Sequence, residues 1–381
     1  MLSREEIINL RKSLCKRVRR LVIKVGSSVI TTQSGLNVKV IEQLVTQIAK
    51  LHNQGKEVIL VSSGAIAAGM RKMGLKQRPV SLPQQQALAA IGQSDLIRIY
   101  EEAFAIYNLK VAQVLLTRDG LVDRHRYLNA RHTFFSLLHW GIVPIVNEND
   151  TVAVEEIKFG DNDFLAGFIT AMLEADLLIL LTDMNGLYNH DPRFYPEAKR
   201  LPIIEKIDKK IEALGKTTPS FLGRGGIASK IKVAKDITAV GIPVFIAKGD
   251  KPGIINAILE GEDVGTLFLP QKTQRLRKHW LASLPAKGEL VIDEGAIKAI
   301  KQNGKSLLPS GIKKVKGQFF AGDPVYCVGE KGERIAIGLV NYNSTEVEKI
   351  KGLNTKDIIK VLGYKGYDEV IHRDNLCVLE D

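Results

Sequence analysis

The sequence predicts an α/β protein, a three-layer αβα sandwich around a mainly parallel sheet, followed by a small, mainly β domain. Three observations carry this prediction. Five apolar runs, at 21–25, 58–61, 111–116, 142–146 and 177–181, are strand-length and nearly uninterrupted, the pattern of strands covered on both faces. Helical stretches at 38–51, 84–107, 127–139 and 163–174 alternate with them, as crossovers between parallel strands require. Beyond residue 284 the texture changes to short segments, 289–292, 325–328 and 335–340, broken by Gly, Asn, Asp and Pro.

The other elements fall into place around these. Ser3 followed by Glu6 forms a capping-box pattern, and Ile7, Leu10, Leu14 and Val18 recur at helical spacing. The other faces of that helix carry Arg4, Arg11, Lys12, Lys16, Arg17, Arg19 and Arg20. Such a basic amphipathic helix can lie on a membrane or nucleic acid; a surface helix packed on its own domain is the preferred reading. A helix at 227–240, a strand at 243–247, a helix at 253–259 and a strand at 266–269 complete the α/β part. The expected domains are a basic extension (1–20), an α/β domain (21–268), a basic linker (269–284) and a mainly β domain (285–381).

Composition excludes several classes. The 381 residues exceed what one core supports, so two domains are expected. Hydrophobic residues at 45% and charged residues at 25% exclude a disordered, collagen-like or coiled-coil chain. No apolar run approaches the roughly 20 residues of a membrane span, and no export signal follows the first helix. Cys15, Cys327 and Cys377 are too few and too scattered for a disulfide framework, which fits a reducing compartment and a cytoplasmic location. His125, His132 and His139 repeat every seven residues without a carboxylate or cysteine at ligand spacing, so no metal residues are assigned. The net charge of +12 is uneven: +5 in 1–20, +2 in 21–264, +4 in 265–284 and +1 in 285–381. Neither domain is basic as a whole.

The chemistry concentrates after the strands, where ligands of open α/β sheets bind. The first strand leads to Lys24-Val25-Gly26-Ser27-Ser28, the second to Ser62-Ser63-Gly64-Ala65, the fourth to Asn147-Glu148-Asn149-Asp150 and the fifth to Thr182-Asp183. Any one of these is an ordinary turn; four on one sheet edge make a site. A lysine inside an apolar strand is costly unless it meets an anion, so Lys24 reads as a phosphate ligand rather than a snorkelling side chain. Gly26 lets backbone N–H groups approach that anion. Gly223-Arg224-Gly225-Gly226-Ile227-Ala228-Ser229-Lys230 opens a helix and offers a second anion site. It is not a Walker A loop, and the loop before it excludes a dinucleotide fingerprint. Two lysines with two glycine turns suit phosphoryl transfer. Asp150, Asp161 and Asp183 are the candidate acidic members, and Asp161 and Asp163 also stand where a helix cap belongs.

These residues resemble the amino-acid kinase family: Leu21 to Ser28 is similar to its opening motif, and Val61 to Gly69 to its second. Within that family, Leu116-Thr117-Arg118, Asp123-Arg124, Arg126 to Arg131, Val146 to Asp150, Phe159 to Asp163 and Leu181 to Asp183 resemble the branch that phosphorylates glutamate. Residues 288–366, with Ser306 to Gly311 and Asn341 to Ser344, resemble a PUA domain. The resemblance implies ATP-dependent phosphorylation of the side-chain carboxylate of L-glutamate to L-glutamyl 5-phosphate, the first step of proline synthesis, with ATP and Mg2+. It implies Lys24, Lys230 and Asp161 as catalytic residues, and Ser63, Gly64, Asn147, Asp150 and Asn162 as the glutamate site. For the nucleotide it implies Lys24, Gly26, Ser27, Thr182, Asp183 and the run Arg224, Gly225, Gly226, Ile227, Ala228, Ser229 and Lys230. Asp150 suits the α-ammonium of glutamate and Asn162 its α-carboxylate. Proline inhibition and a homo-oligomer are further implications; a membrane partner is not. Arg224 stands where relatives carry a small polar residue, and nucleotide contact is its expected role. Two other readings stay open: an RNA-binding PUA protein, with Phe319, Phe320 and Tyr326 as stacking candidates, and a kinase of this fold acting on another acid.

Overall fold

The computed structural model describes residues 3–32, 35–117, 124–152, 162–216, 226–271 and 286–379. The chain divides into two compact units, residues 1–123 with 129–273, and residues 124–128 with 274–381.

The first unit opens with α1 (Arg4–Cys15), β1 (Arg20–Val25) and the single turn α2 (Ser27–Ile30). A small hairpin, β2 (Thr31–Thr32) and β3 (Gly35–Leu36), leads into α3 (Val38–Asn53). Then follow β4 (Glu57–Ser62), α4 (Ala65–Lys72), α5 (Leu82–Ala105), β5 (Val111–Leu116), α6 (Arg124–His139) and β6 (Val143–Glu148). Next are α7 (Asn162–Met172), β7 (Leu177–Thr182), β8 (Ile203–Ile204) and α8 (Lys209–Lys216). The unit ends with α9 (Ile227–Ala239), β9 (Val244–Lys248), α10 (Ile254–Leu259) and β10 (Thr266–Phe268). Eight strands form one sheet in the order β5-β6-β4-β1-β7-β9-β10-β8. All neighbours are parallel except β9 and β10.

Alternation along the strands assigns the two faces. Leu21, Ile23 and Val25 of β1 pack with Val58, Leu60, Ile179 and the apolar sides of α3, α5 and α10. Val22, Ile59, Leu178 and Leu180 are equally buried and face the other way, toward α7 and α9. Lys24 belongs to that second face, opposite Val61 of β4 and Leu180 of β7. Helices α4 and α5 cross with their backbones in contact. A Cβ on Gly92 would come within 1.9 Å of Ala65 O, and one on Gly69 within 2.0 Å of Leu88 O. Only glycine fits that approach.

The first helix is capped as expected: Ser3 Oγ accepts from Glu6 N, and Glu6 Oε2 accepts from Ser3 N at 2.6 Å. It packs against α10, and one of its basic residues faces inward. Arg11 is fully buried and donates to the carbonyls of Glu262 (2.6 Å), Val264 and Pro202 (both 2.7 Å) and Gly265 (3.2 Å). Burial pulls its pKa down to about 10, against the attraction of Asp263. The helix is therefore anchored into the first unit by a charge that the sequence places on its solvated faces. An Arg11→Met substitution keeps the volume but leaves those carbonyls without donors, and should cost about 2–3 kcal/mol. The denaturation midpoint measures this; an unchanged midpoint would show the anchor to be dispensable.

The second unit holds β11 (Gly288–Ile292), α11 (Glu294–Asn303), β12 (Ile312–Gly317), β13 (Pro324–Val328) and β14 (Arg334–Leu339). It continues with α12 (Ser344–Ile350), α13 (Ile358–Leu362) and β15 (Leu376–Val378). The five strands form a separate sheet in the order β12-β11-β13-β14-β15 around their own core. Phe319, a stacking candidate by sequence, is 2% exposed within that core and offers no free ring face; Phe320 is 68% exposed. The guanidinium of Arg334 lies 4.2 Å from the ring centroid of Tyr326. No helix among the described residues is long and apolar enough to cross a membrane.

Candidate functional site

The carboxyl ends of β1, β4, β6 and β7 reach one sheet edge: Val25 is level with Ser62 and Leu181, and Val61 with Val146. Lys24 does not snorkel there. It is 2% exposed, and its Nζ lies 2.6 Å from Asp163 Oδ1 on the first turn of α7. The other carboxylate oxygen, Oδ2, lies 2.9 Å from Lys230 Nζ and accepts from Ser229 Oγ at 2.9 Å, both on the first turn of α9. One buried carboxylate thus joins a strand and two helices, holding two buried ammoniums whose formal sum with it is +1. Two buried ammoniums held side by side at a strand end suit an anion. Gly26 adjoins it: a Cβ there would sit 3.9 Å from Lys24 Nζ and 3.7 Å from Ser28 Oγ, in the space an anion on the lysine needs. Gly226 caps α9, where Ile227 and Ala228 begin the helix.

A second cluster surrounds the ends of β4 and β6. Asn162 Nδ2 lies 2.9 Å from Ser63 Oγ, 2.9 Å from Asn147 Oδ1 and 3.3 Å from Ser62 O. Asn147, 3% exposed, accepts from Glu148 N at 2.9 Å and donates through Nδ2 to Gln93 Oε1 at 2.8 Å. Behind it, Tyr100 OH and Ser62 Oγ share a 2.9 Å hydrogen bond. Burial pushes the Tyr100 phenol up to about 12, so it stays protonated at neutral pH. Gly64 opens α4 at φ +106°, a left-handed conformation that favours glycine. Asp150 follows β6 in a turn.

At the end of β7, Thr182 Oγ1 donates to Asp183 Oδ1 at 2.9 Å, and Thr182 is level with Lys248, the last residue of β9. A recess starts one residue beyond Asp183, lined by Met184, Gly186, Leu187, Tyr188, His190, Asp191, Pro192, Leu214 and Ile227. The structure therefore brings together Lys24, Lys230 and Ser229, and separately Ser63, Asn147 and Asn162. Asp161, Arg224 and Gly225 lie outside the described residues.

Sequence reasoning missed Gln93 and Tyr100, and saw Asp163 only as a helix cap. The signal for Asp163 was its place at the head of an almost wholly apolar helix, in a chain with a lysine inside an apolar strand. Gln93 and Tyr100 carried no such signal, since both sit in a long helix of mixed polarity.

Residues 19–248 match the amino acid kinase family, and residues 288–362 match the PUA domain. A glutamate 5-kinase from Caldanaerobacter subterraneus subsp. tengcongensis is 52% identical over 95% of this chain and 98% of its own. One from Meiothermus ruber is 51% identical over 95% and 96%. One from Thermus thermophilus is 47% identical over 95% and 98%.

Proposed function

The chain belongs to the amino acid kinase family, and from that premise we propose that it transfers the γ-phosphoryl group of ATP to the side-chain carboxylate of L-glutamate, giving L-glutamyl 5-phosphate. The observation that carries this reading is the buried Lys24–Asp163–Lys230 cluster, two ammoniums on one carboxylate at the carboxyl ends of the strands.

The attacking group is a carboxylate, ionised at neutral pH, so the reaction needs no general base. Its obstacle is that an anion must approach a polyanion. Phosphoryl transfer is catalysed mainly by positioning and by neutralising charge on the moving group. Lys24 and Lys230, both held by Asp163, would flank that group and stabilise its equatorial oxygens as the bond to ADP breaks. Ser63, Gly64, Asn147, Asp150 and Asn162 would hold glutamate. Gly26, Ser27, Thr182, Asp183 and 226–230 would hold ATP, with Arg224 and Gly225 assigned to it by motif alone; Asp161 is assigned to catalysis on the same ground. Mg2+ suits this donor set as an ion carried by the nucleotide phosphates and water, because it dehydrates reluctantly; Asp183 is the carboxylate that would face it. The ion would neutralise phosphate charge.

On the same premise the product feeds proline synthesis in the cytoplasm, proline inhibits the enzyme, and the enzyme works as a homo-oligomer. Domain limits of 21–268 and 285–381 are supported by the break after Thr273 and by the family matches; α1 belongs with the first because Arg11 is buried there. Burial of Phe319 weakens the RNA-binding alternative.

The test is ADP release with glutamate and hydroxylamine, which traps an acyl phosphate as its hydroxamate. Glutamate-dependent hydroxamate is expected. ADP release without it, or turnover only with another acid, would overturn the reading.

A further inference from the structure

Buried hydrogen bonds lead from α1 to the recess beyond Asp183. The Arg11 guanidinium forks onto two segments: Nη1 donates to Val264 O and Nη2 to Pro202 O, both at 2.7 Å, and Nη2 also to Gly265 O at 3.2 Å. Thr266, the next residue after that turn, is fully buried. Its Oγ1 donates to Leu201 O at 2.6 Å and accepts from Leu187 N at 2.8 Å, and Leu201 N donates to Leu187 O at 2.8 Å. Gly186 leaves no slack: at φ +107°, a Cβ on it would come within 2.6 Å of Thr266 Oγ1 and 3.1 Å of Gly265 C. Gly186 and Leu187 themselves line the recess. The carbonyls of Gly265 and Pro202 that Arg11 holds therefore flank, on both segments, the hydrogen bonds that place this wall.

We propose that Arg11 is a positioning residue for the nucleotide, holding the Gly186–Leu187 wall of the recess against the base of ATP through Thr266. This rests on the use of ATP argued above. The recess runs from Met184, next to Asp183, to Ile227 at the head of α9, so both segments assigned to the nucleotide border it. Met184, Leu187, Leu214 and Ile227 give it apolar surface, which a planar base can bury. The Lys24–Asp163–Lys230 cluster draws on β1, α7 and α9, none of which the Arg11 relay enters. A displaced wall thus weakens contact with the base and spares the charges that act on the moving group. Losing an interaction of equal strength in the ground and transition states raises KM and leaves kcat unchanged. Helix α1 thereby has a part in the reaction although it carries no group that touches a substrate.

The experiment compares full-length variants by steady-state kinetics, well below their denaturation midpoints, with two inhibitors that compete with ATP. Adenosine has the base and no phosphate; tripolyphosphate has the phosphates and no base. Arg11→Lys keeps the charge but loses the fork, and Thr266→Val keeps the shape but loses the hydroxyl. Each should raise KM for ATP and Ki for adenosine about fivefold, the worth of roughly one hydrogen bond, leaving kcat, KM for glutamate and Ki for tripolyphosphate unchanged. Thr266→Ser keeps the hydroxyl and should restore both constants. A merely structural role would lower the midpoint without that selectivity. Thr266→Val carries the test where Arg11→Lys does not fold. Equal weakening of adenosine and tripolyphosphate, a raised KM for glutamate, no change in either inhibitor, no inhibition of wild type by adenosine, or failure of Thr266→Ser to restore the constants would overturn the proposal. Wild-type protein without ATP-dependent turnover would instead sink the activity it rests on.

Discussion

Asp163→Asn should lower kcat about 10³-fold and cost about 3–5 kcal/mol of folding stability. Both effects follow from one oxygen pair. The carboxylate is 0% exposed and lies within 2.9 Å of two ammoniums that are themselves 2% and 4% exposed. Asparagine conserves shape but takes the formal charge of the cluster from +1 to +2. Breaking a buried pair by removing one partner is strongly destabilising, because it strands the other charge away from water. The kinetic loss arises because the carboxylate sets the position of both lysines, and removing one preorganised charge-stabilising group typically costs 10²–10³-fold. Single-turnover kinetics measure the first effect and denaturant titration the second. Pyrophosphate should restore part of the lost stability by supplying the missing negative charge. A stable variant with near-normal turnover would remove Asp163 from both roles.

Lys24→Met should separate the two effects. Methionine keeps the unbranched apolar stem that the strand buries and discards the ammonium, leaving Asp163 paired with Lys230. Stability should then stay within about 1 kcal/mol of wild type, since replacing a buried charge by an apolar side chain of similar volume is often neutral. Turnover should still fall about 10²–10³-fold. One of the two ammoniums is gone, so pyrophosphate should raise the midpoint less than it does in wild type. Loss of stability comparable with Asp163→Asn would mean that Lys24 serves the fold rather than the reaction.

Much of the α/β part was legible because its evidence is local. Strands β1, β4, β5, β6 and β7 are apolar runs, and α3, α5 and α7 carry long helical periods. Elements whose identity depends on distant partners were not legible. The strand β12, Ile-Lys-Lys-Val-Lys-Gly, buries only Ile312 and exposes three lysines at a sheet edge; nothing in its own residues announces pairing with β11. The short helices α4 and α8 and the antiparallel turn of β10 were missed for the same reason. At the site, Lys24 was legible because an ammonium in an apolar strand needs an explanation wherever it occurs. Asp163 was not, because an aspartate at a helix start already has one. Arg11 misled for a related reason: a basic residue among basic residues reads as solvated until its carbonyl partners, all of them distant in sequence, are placed around it.

The crossing of α4 and α5 has a further consequence. Their separation is set by main chain against main chain at Gly69 and Gly92, so no change of side-chain size can tune it. Gln93 is the next residue along, and Tyr100 two turns further on the same helix. The distance from α5 to the amide cluster is therefore gauged by two missing side chains, and the site inherits its tolerance from a contact in which no functional group takes part.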